Sequence, residues 1–232
     1  MAKTVLRPNP GKNLTITVDG KRYARYPIKT HVISPKDEIT QVVATYAGPY
    51  LKDGDTVVVS ERVVAITQGR MYLIKDIRPS IWANLFVKFV YKPSWGIGIG
   101  SPYTMQVAIS EAGLPRMLLA AGISALTKPF GIRGMFYRVV GHQINAIDGP
   151  TPYTLPPGNM AATLGPKDPN KVTREIKNKL GCAVAIIDAN DIGQRIEGAT
   201  SDVDRDLICR IFKDNPLGQS KECTPMAIVR KI

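Results

Sequence analysis

Residues 168–191 decide the fold class and read DPNKVTREIKNKLGCAVAIIDAND. Apolar residues recur on one stripe of residues 168–180, which predicts an amphipathic helix that ends at Gly181. The unbroken apolar run 182–187 predicts a buried strand directly after the helix. This strand stops at the acidic loop 188–191. A helix that leads into a buried strand predicts a protein in which helices pack against a sheet.

Similar patterns extend from this segment in both directions. They predict helices over residues 34–48, 81–89, 115–126 and 203–212, and strands over residues 56–60, 62–66, 135–140 and 226–229. Local strand–strand connections and strand–helix–strand connections both occur, which favours an α+β fold over a doubly wound parallel sheet. We therefore expect mixed or antiparallel sheets with flanking helices.

The domain organisation is expected to be simple. Residues 1–24 form a polar lead-in with two short extended runs around a turn at residues 18–21. Residues 25–232 form one domain, in which a subdivision near residues 125–135 is only weakly marked.

The composition indicates a globular protein that attracts anions. The 232 residues are 44% hydrophobic and carry a formal net charge of +12. Nucleotides, nucleic acids and phosphorylated small molecules are therefore all candidate ligands. Nucleic acid is the least expected of these partners, because the basic residues are scattered and only 7% of the residues are aromatic.

The sequence predicts a cytoplasmic protein without a membrane partner. Residues 1–10 lack the apolar core of a signal peptide, and the most apolar stretches are too short or too interrupted to span a bilayer. The three cysteines form no C-x-x-C pair, which favours a reducing compartment. Cys182 and Cys209 lie in apolar segments and are predicted to be packing residues.

Two acidic loops form the candidate functional site. Asp148 follows one predicted strand, and Asp188 and Asp191 follow the strand over residues 182–187. Carboxylates at two such strand ends supply the hard oxygen ligands that Mg²⁺ or Mn²⁺ prefers. Each loop taken alone is also ordinary turn chemistry. The prediction of a metal site therefore depends on both loops acting together.

Other residues that could carry chemistry give weaker patterns. His31 and His142 have no metal-binding spacing and are predicted to be structural or surface residues. The glycines within residues 96–100 are typical of a flexible loop or a strand edge. No phosphate-binding loop of the form G-x-x-x-x-G-K-[ST] occurs, so a nucleotide would be held without that cradle.

Five segments occur in an order that resembles one protein family. They are GDTVVV at residues 54–59, INAID at 144–148, LGPKDP at 164–169, DAND at 188–191, and LGQ at 217–219 followed by IVR at 228–230. The first three resemble the motifs G-D-x-V-V-V, A-N-A-G-V-D and L-P-x-D-P of the coenzyme F-420-0:L-glutamate ligase family. Residues 188–191 occupy the place of its S-D-T-x-G-R, and the last segment resembles its M-G-Q and closing V-L-V-R. These γ-glutamyl ligases extend the deazaflavin coenzyme. Five matches in one order are more specific than any single match.

The resemblance implies an amide ligation that uses GTP or ATP. In this reaction the γ-phosphate activates a substrate carboxylate, and the amine of L-glutamate then displaces phosphate. The resemblance also implies an intertwined homodimer and bound Mg²⁺ or Mn²⁺. The implied metal ligands are Asp148, Asp188 and Asp191, the implied nucleotide-lining residues are Thr30, Ile33, Gly218 and Gln219, and the implied supporting residues are Asn145, Thr151, Asn190 and Gln68.

Two departures from the family pattern bear on activity. Where the family has S-K-A-E, this chain has AITQ at residues 65–68, so Ile66 replaces the expected lysine and Gln68 the expected glutamate. The leading hypothesis is a nucleotide- and metal-dependent carboxylate–amine ligase. The alternative is a non-catalytic binding protein on the same fold that holds a phosphorylated ligand or a protein partner.

Overall fold

The chain forms two units, and the second is inserted into the sequence of the first. A computed structural model describes residues 6–90, 98–132, 134–141, 144, 146–151, 154–190 and 193–232. The sheet unit comprises Met1–Gly69 and Pro166–Ile232, and the helical unit comprises Arg70–Gly165. The subdivision predicted near residues 125–135 falls inside the helical unit.

Helices and strands both occur in each unit. The strands are β1 (Thr15–Val18), β2 (Lys21–Ile28), β3 (Thr56–Ser60), β4 (Met71–Leu73), β5 (Ala161–Thr163), β6 (Ala183–Ala189), β7 (Gln194–Ala199) and β8 (Met226–Lys231). The α-helices are α1 (Ile39–Tyr46), α2 (Glu61–Thr67), α3 (Ile81–Phe86), α4 (Pro102–Ala112), α5 (Leu114–Thr127), α6 (Met135–Val140), α7 (Pro169–Leu180) and α8 (Arg205–Ile211). Single 3₁₀ turns cover Gly48–Tyr50, Ile74–Asp76, Lys128–Phe130 and Gly158–Met160.

The sheet unit is built on one mixed sheet with the strand order β1-β2-β8-β3-β6-β7. The neighbours β3 and β6 are parallel, and the other neighbouring pairs are antiparallel. The central strands β3, β6 and β8 are buried along most of their length, as expected of strands that are covered on both faces. The predicted α+β fold with a mixed sheet and flanking helices is confirmed.

Helices cover both faces of this sheet. Val58, Ala185 and Ile187 share a core with Ile208 and Ile211 of α8. Because side chains alternate along a strand, the residues between them face the opposite side, where α7 packs against β6 and β7 and also against α1.

Two predicted strands are helices instead. Residues 62–66 lie in α2, and residues 135–140 form α6. Buried residues of α2 recur at Glu61, Val64 and Ala65, so burial at helical spacing outweighs the β-propensity of its valines. Glycines with positive φ bound α6 on both sides, at positions 134 and 141, and they separate it from the segment that precedes Asp148.

The helix α1 begins later than predicted. The backbone N–H and the hydroxyl of Ser34 both donate to the Asp37 carboxylate, at 2.8 Å each, so Ser34 belongs to a separate turn. The Glu38 carboxylate accepts the N–H groups of Thr40 and Gln41, also at 2.8 Å. Glu38 is therefore the N-cap, which satisfies two of the backbone donors that a helix leaves unpaired at its start.

The helical unit has its own core and a short antiparallel β4–β5 pair. Buried residues of α4 and α5 meet there with residues 144, 147, 162 and 164. Among the described residues, no single helix is long and apolar enough to cross a bilayer. The segments Pro102–Ala112 and Leu114–Phe130 pass that test only as a pair, and they are bent by 108° at their junction.

Candidate functional site

One edge of the sheet, the carboxyl edge, collects several chain segments. Ser60, the last residue of β3, pairs with Ile187 of the parallel strand β6. The N–H of Ser60 also donates to the carbonyl of Pro225, just before β8, at 2.7 Å. The strand β2 ends at the same edge, because Ile28 pairs with Met226. The carboxyl ends of parallel strands are where ligands commonly bind in sheets flanked by helices.

Asp188, near the end of β6, and Asn190, between β6 and β7, lie at the carboxyl edge. Asp188 pairs with Arg195 of β7, and the Asn190 amide donates to the Asp188 carboxylate (Nδ2–Oδ1 3.4 Å). The amide oxygen of Asn190 accepts the N–H of Gly193 at 3.0 Å. The Asn190 side chain therefore both stabilises the turn and contacts the Asp188 carboxylate. Asp191 lies outside the described residues.

The two segments that the family resemblance assigns to the nucleotide lie next to each other. The N–H of Thr30 donates to the carbonyl of Cys223 at 2.9 Å, and Cys223 lies in the loop that carries Gly218 and Gln219. Thr30 and Ile33 are buried.

The loop that carries Gly218 is tightly held. The Asn9 side chain donates to the carbonyls of Pro216 and Leu217, at 2.9 and 3.0 Å. Gly218 has a φ of 78°, and a Cβ there would lie 2.6 Å from the carboxyl carbon of Glu222. The positive φ favours glycine at this position, whereas the Glu222 side chain is flexible and could move away from a Cβ.

The start of the same loop is anchored on a buried arginine. Arg25 is 1% exposed and forms an ion pair with Asp214. Burial alone would raise the pKa of Asp214, but the hydrogen bond and the charge of Arg25 outweigh it and hold that pKa below its ordinary value.

A cluster of His31, Asp37 and Tyr46 holds the segment that contains Thr30 and Ile33. The two ring nitrogens of His31 contact the Tyr46 hydroxyl at 2.9 Å and the Asp37 carboxylate at 3.0 Å. The backbone and hydroxyl hydrogen bonds of Ser34, with a smaller contribution from His31, lower the pKa of Asp37. The cluster joins this segment to α1, which agrees with the structural or surface role predicted for His31. His142 lies outside the described residues.

Gln68 is committed to a backbone contact. Its amide nitrogen donates to the carbonyl of Lys167 at 2.8 Å, and its amide oxygen accepts the N–H of Lys167 at 2.7 Å. Ile66, two residues earlier, is 9% exposed and belongs to the buried side of α2. Both departures from the family motif therefore have structural roles in this chain.

Glu61 is a carboxylate at the carboxyl edge that the sequence prediction did not include. It is the first residue of α2, directly after Ser60 at the carboxyl edge, and it is only 8% exposed. Because residues 62–66 have the pattern of a continuing strand, no sequence signal placed Glu61 at this edge. The switch from strand to helix at Ser60 brings it there.

Asp148 and Thr151 belong to the helical unit. The backbone of Asp148 exchanges two hydrogen bonds of 2.9 Å with that of Thr163, so Asp148 extends the β4–β5 pair by a single bridge and does not end a strand. Asp148 is exposed. Thr151 forms a turn in which its carbonyl accepts the N–H of Thr154 at 3.1 Å. Asn145 lies outside the described residues.

The carboxyl edge offers the right kind of atom for a hard metal ion. Glu61 and Asp188 supply carboxylate oxygens, the donors that Mg²⁺ and Mn²⁺ prefer. In the part of the chain that the structure describes, which lacks Asp191, no group of three or more His, Cys, Asp or Glu side chains could hold a metal ion. A metal ion at this edge would therefore also need oxygens from Asp191, from water or from a bound phosphate.

The thiols of Cys182 and Cys209 are not set up for nucleophilic chemistry. Cys182, Cys209 and Cys223 are free. Burial raises the pKa of the Cys182 and Cys209 thiols, so both stay protonated at neutral pH. Their burial fits the predicted packing role.

Comparison with known proteins gives the class of this protein. The family model of F420-0:Gamma-glutamyl ligase matches residues 27–203, well over half of the chain. The chain belongs to this family, and the resemblance predicted from its motifs is confirmed.

One curated relative comes from an archaeon. The uncharacterized protein MJ1361 of Methanocaldococcus jannaschii is 28% identical over 172 residues, which cover 71% of this chain and 56% of that protein. The chain therefore spans about half the length of the relative it matches.

Proposed function

We propose that the protein is a nucleotide- and divalent-metal-dependent carboxylate–amine ligase of the γ-glutamyl type. One observation carries the proposal: the carboxyl edge gathers Asp188 and the end of β2 next to the loop of Gly218 and Gln219. Membership of the γ-glutamyl ligase family supports the same reaction class.

The proposed site acts mainly by positioning and by neutralising charge. Backbone groups near Thr30, Ile33 and Gly218 would bind GTP or ATP. Asp188 would hold Mg²⁺ or Mn²⁺, with Asp148 and Asp191 as the other predicted ligands. Such an ion offsets the charge of the phosphates. The proposed substrate is an anionic small molecule whose carboxylate receives the γ-phosphate, after which an amine such as that of L-glutamate forms the amide bond.

Thermal unfolding with nucleotides tests this proposal. GTP or ATP together with Mn²⁺ is expected to raise the melting temperature, because a ligand that binds only the folded state stabilises it. Asp188→Asn and Asp148→Asn are each expected to remove this shift. Asp202→Asn is the matched control, since Asp202 pairs with Lys177 on the surface (2.7 Å). The absence of a shift with any nucleotide would overturn the proposal.

The alternative is a non-catalytic binding protein on the same fold. The burial of Ile66 favours it, because no lysine stands at this position to meet a phosphate. The two functions differ in one measurable outcome. A ligase releases phosphate in a metal-dependent reaction that needs both its carboxylate and its amine substrate, whereas a binding protein binds nucleotide without turnover.

We also propose that the protein forms a homodimer through an exposed apolar surface of α5. Leu118, Leu119 and Leu126 are 42%, 59% and 73% exposed, and the small residues Gly122 and Ala125 lie on the same face at helical spacing. These five residues form the α5 stripe. An antiparallel copy of α5 would place leucines opposite the small residues, so the stripe is self-complementary.

A further inference from the structure

We propose that Lys167 supplies the phosphate-binding positive charge that Ile66 does not, and that Gln68 positions it. The inference rests on the proposed function, since it assigns a residue to the nucleotide phosphates. It begins from the two-way hydrogen bond between the Gln68 side chain and the backbone of Lys167, at 2.8 and 2.7 Å. This contact fixes the backbone of Lys167 and leaves its exposed side chain to extend into solvent.

The location of Lys167 suits this role. α7 leads back into β6 through Gly181, so the two elements run in opposite directions. Pro169, the first residue of α7, lies against Gly198, where a Cβ would come within 2.6 Å of the Pro169 carbonyl carbon. Gly198 pairs with Ile186, in the middle of β6. Lys167 precedes Pro169 and therefore lies towards the carboxyl edge, where Asp188 follows Ile187.

The chemistry of position 68 explains why glutamine stands there. The side chain must donate to one backbone group of Lys167 and accept from another. An amide does both, whereas a carboxylate only accepts and would face the Lys167 carbonyl with a negative charge. Glutamate at this position would therefore disturb the segment and would also offer an opposing charge to the ammonium group. The amide of Gln68 therefore suits the backbone of Lys167 and leaves the charge of the Lys167 side chain unopposed.

A further cation suits a phosphate site here, because Glu61 and Asp188 are carboxylates and the nearby Arg195 is paired with Glu197 (2.6 Å). A lysine ammonium is a compact point charge that binds phosphate oxygens well. Position 66 cannot supply it in this chain, because Ile66 lies on the buried side of α2 and an unpaired buried ammonium is costly. Lys167 delivers the charge from the neighbouring segment.

Nucleotide titrations of four proteins test the proposal: the wild type, Lys167→Met, Lys167→Arg and Lys171→Met. Lys167→Met is expected to weaken the binding of GTP or ATP with Mn²⁺ by about tenfold or more, because it removes a charge-assisted hydrogen bond. The binding of the free nucleoside should not change. Lys167→Arg should recover part of the affinity. Lys171→Met, at an exposed lysine on α7 that pairs with Glu175, should leave it unchanged.

Gln68→Met tests the positioning role separately. It is expected to weaken triphosphate binding and to leave nucleoside binding unchanged, and Lys167→Met should add little to it in the double variant. Wild-type affinity in Lys167→Met would overturn the role of Lys167 and leave the proposed function standing. A wild-type protein that binds no nucleotide would overturn both.

Discussion

Asp55 and Arg230 come from two segments that resemble family motifs, and they form a structural ion pair. Nε and Nη2 of Arg230 lie 2.7 and 2.6 Å from the two oxygens of Asp55, whose side chain is fully buried. The hydrogen bond and charge of Asp55 raise the pKa of Arg230. The pair joins the last strand to the start of β3.

Arg230→Met is expected to lower the free energy of unfolding by about 3 kcal/mol, because it leaves a buried carboxylate without its partner. Urea denaturation measures the change. The control is Arg210→Met, which breaks an exposed pair with Asp19 (2.7 Å) and should cost at most about 1 kcal/mol. Similar losses in the two variants would contradict the structural role of the buried pair.

Single residues show how far the sequence predicts the candidate site. The positions of the two departures, Ile66 and Gln68, are visible in the sequence. Their roles are not, because the partner of Gln68 lies 99 positions away and the burial of Ile66 depends on the fold. Glu61 was missed because residues 62–66 have the pattern of a strand, although they form a helix. The buried strand before Asp188 was predicted from its apolar run, but the strand extends two residues further than predicted and includes Asp188.

At the scale of elements, the start of α7 packs directly on the backbone of β7 at Gly198. An alanine at position 198 would place its Cβ 2.6 Å from the carbonyl carbon of Pro169 and 2.8 Å from the nitrogen of Asn170. Backbone atoms cannot give way as a flexible side chain can. Gly198→Ala is therefore expected to push the start of α7 away from the sheet.

The expected cost of Gly198→Ala is about 1–3 kcal/mol of stability, measured by urea denaturation. Because Lys167 and Asp168 precede α7, faster hydrogen exchange in residues 166–172 should accompany it. Gly48→Ala is the matched control, since a Cβ there meets only Leu180 at an ordinary 3.7 Å. Unchanged exchange in this segment of Gly198→Ala would contradict the proposed packing.

Elements with a clear period were predictable, and elements decided by their surroundings were not. The α7–β6 segment has one apolar stripe, a terminal glycine and an unbroken apolar run, and all three features agree. The valines of α2 favour a strand, but the chain turns into a helix at Ser60 because buried positions recur at helical spacing. The residues of α6 also look extended, and only the flanking glycines at 134 and 141 indicate the breaks.

At the scale of the whole molecule, the insertion divides the family-like motifs between two units. The segment that includes Asp148 belongs to the helical unit, and the segments that include Asp55, Asp188 and Gly218 belong to the sheet unit. Apolar and acidic patterns along the sequence do not mark this division, since both units continue the same alternation of apolar runs and turns. The joint action of Asp148 and Asp188 stays a prediction for the Asp148→Asn experiment.

The α5 stripe leads to a prediction about assembly. Opposite the stripe, Met117 and Ala120 are fully buried, so α5 already has one face in the core while its outer face is apolar as well. Leucines exposed in a continuous row are typical of a contact surface. Leu119→Asp is expected to convert a dimer into a monomer in sedimentation equilibrium, because each copy would bring a carboxylate into the centre of an apolar interface.

Ionic strength gives the prediction a second readout. Arg116 and Lys128 flank the stripe, and α5 contains no acidic residue, so two antiparallel copies would bring like charges together at the rim. Added salt screens this repulsion, so the dimerisation affinity should rise with salt concentration. Association through ion pairs would instead weaken as salt is added. Ile232→Asp is the control, as Ile232 is 55% exposed outside the stripe. A Leu119→Asp protein that dimerises like the wild type would exclude the stripe as the interface.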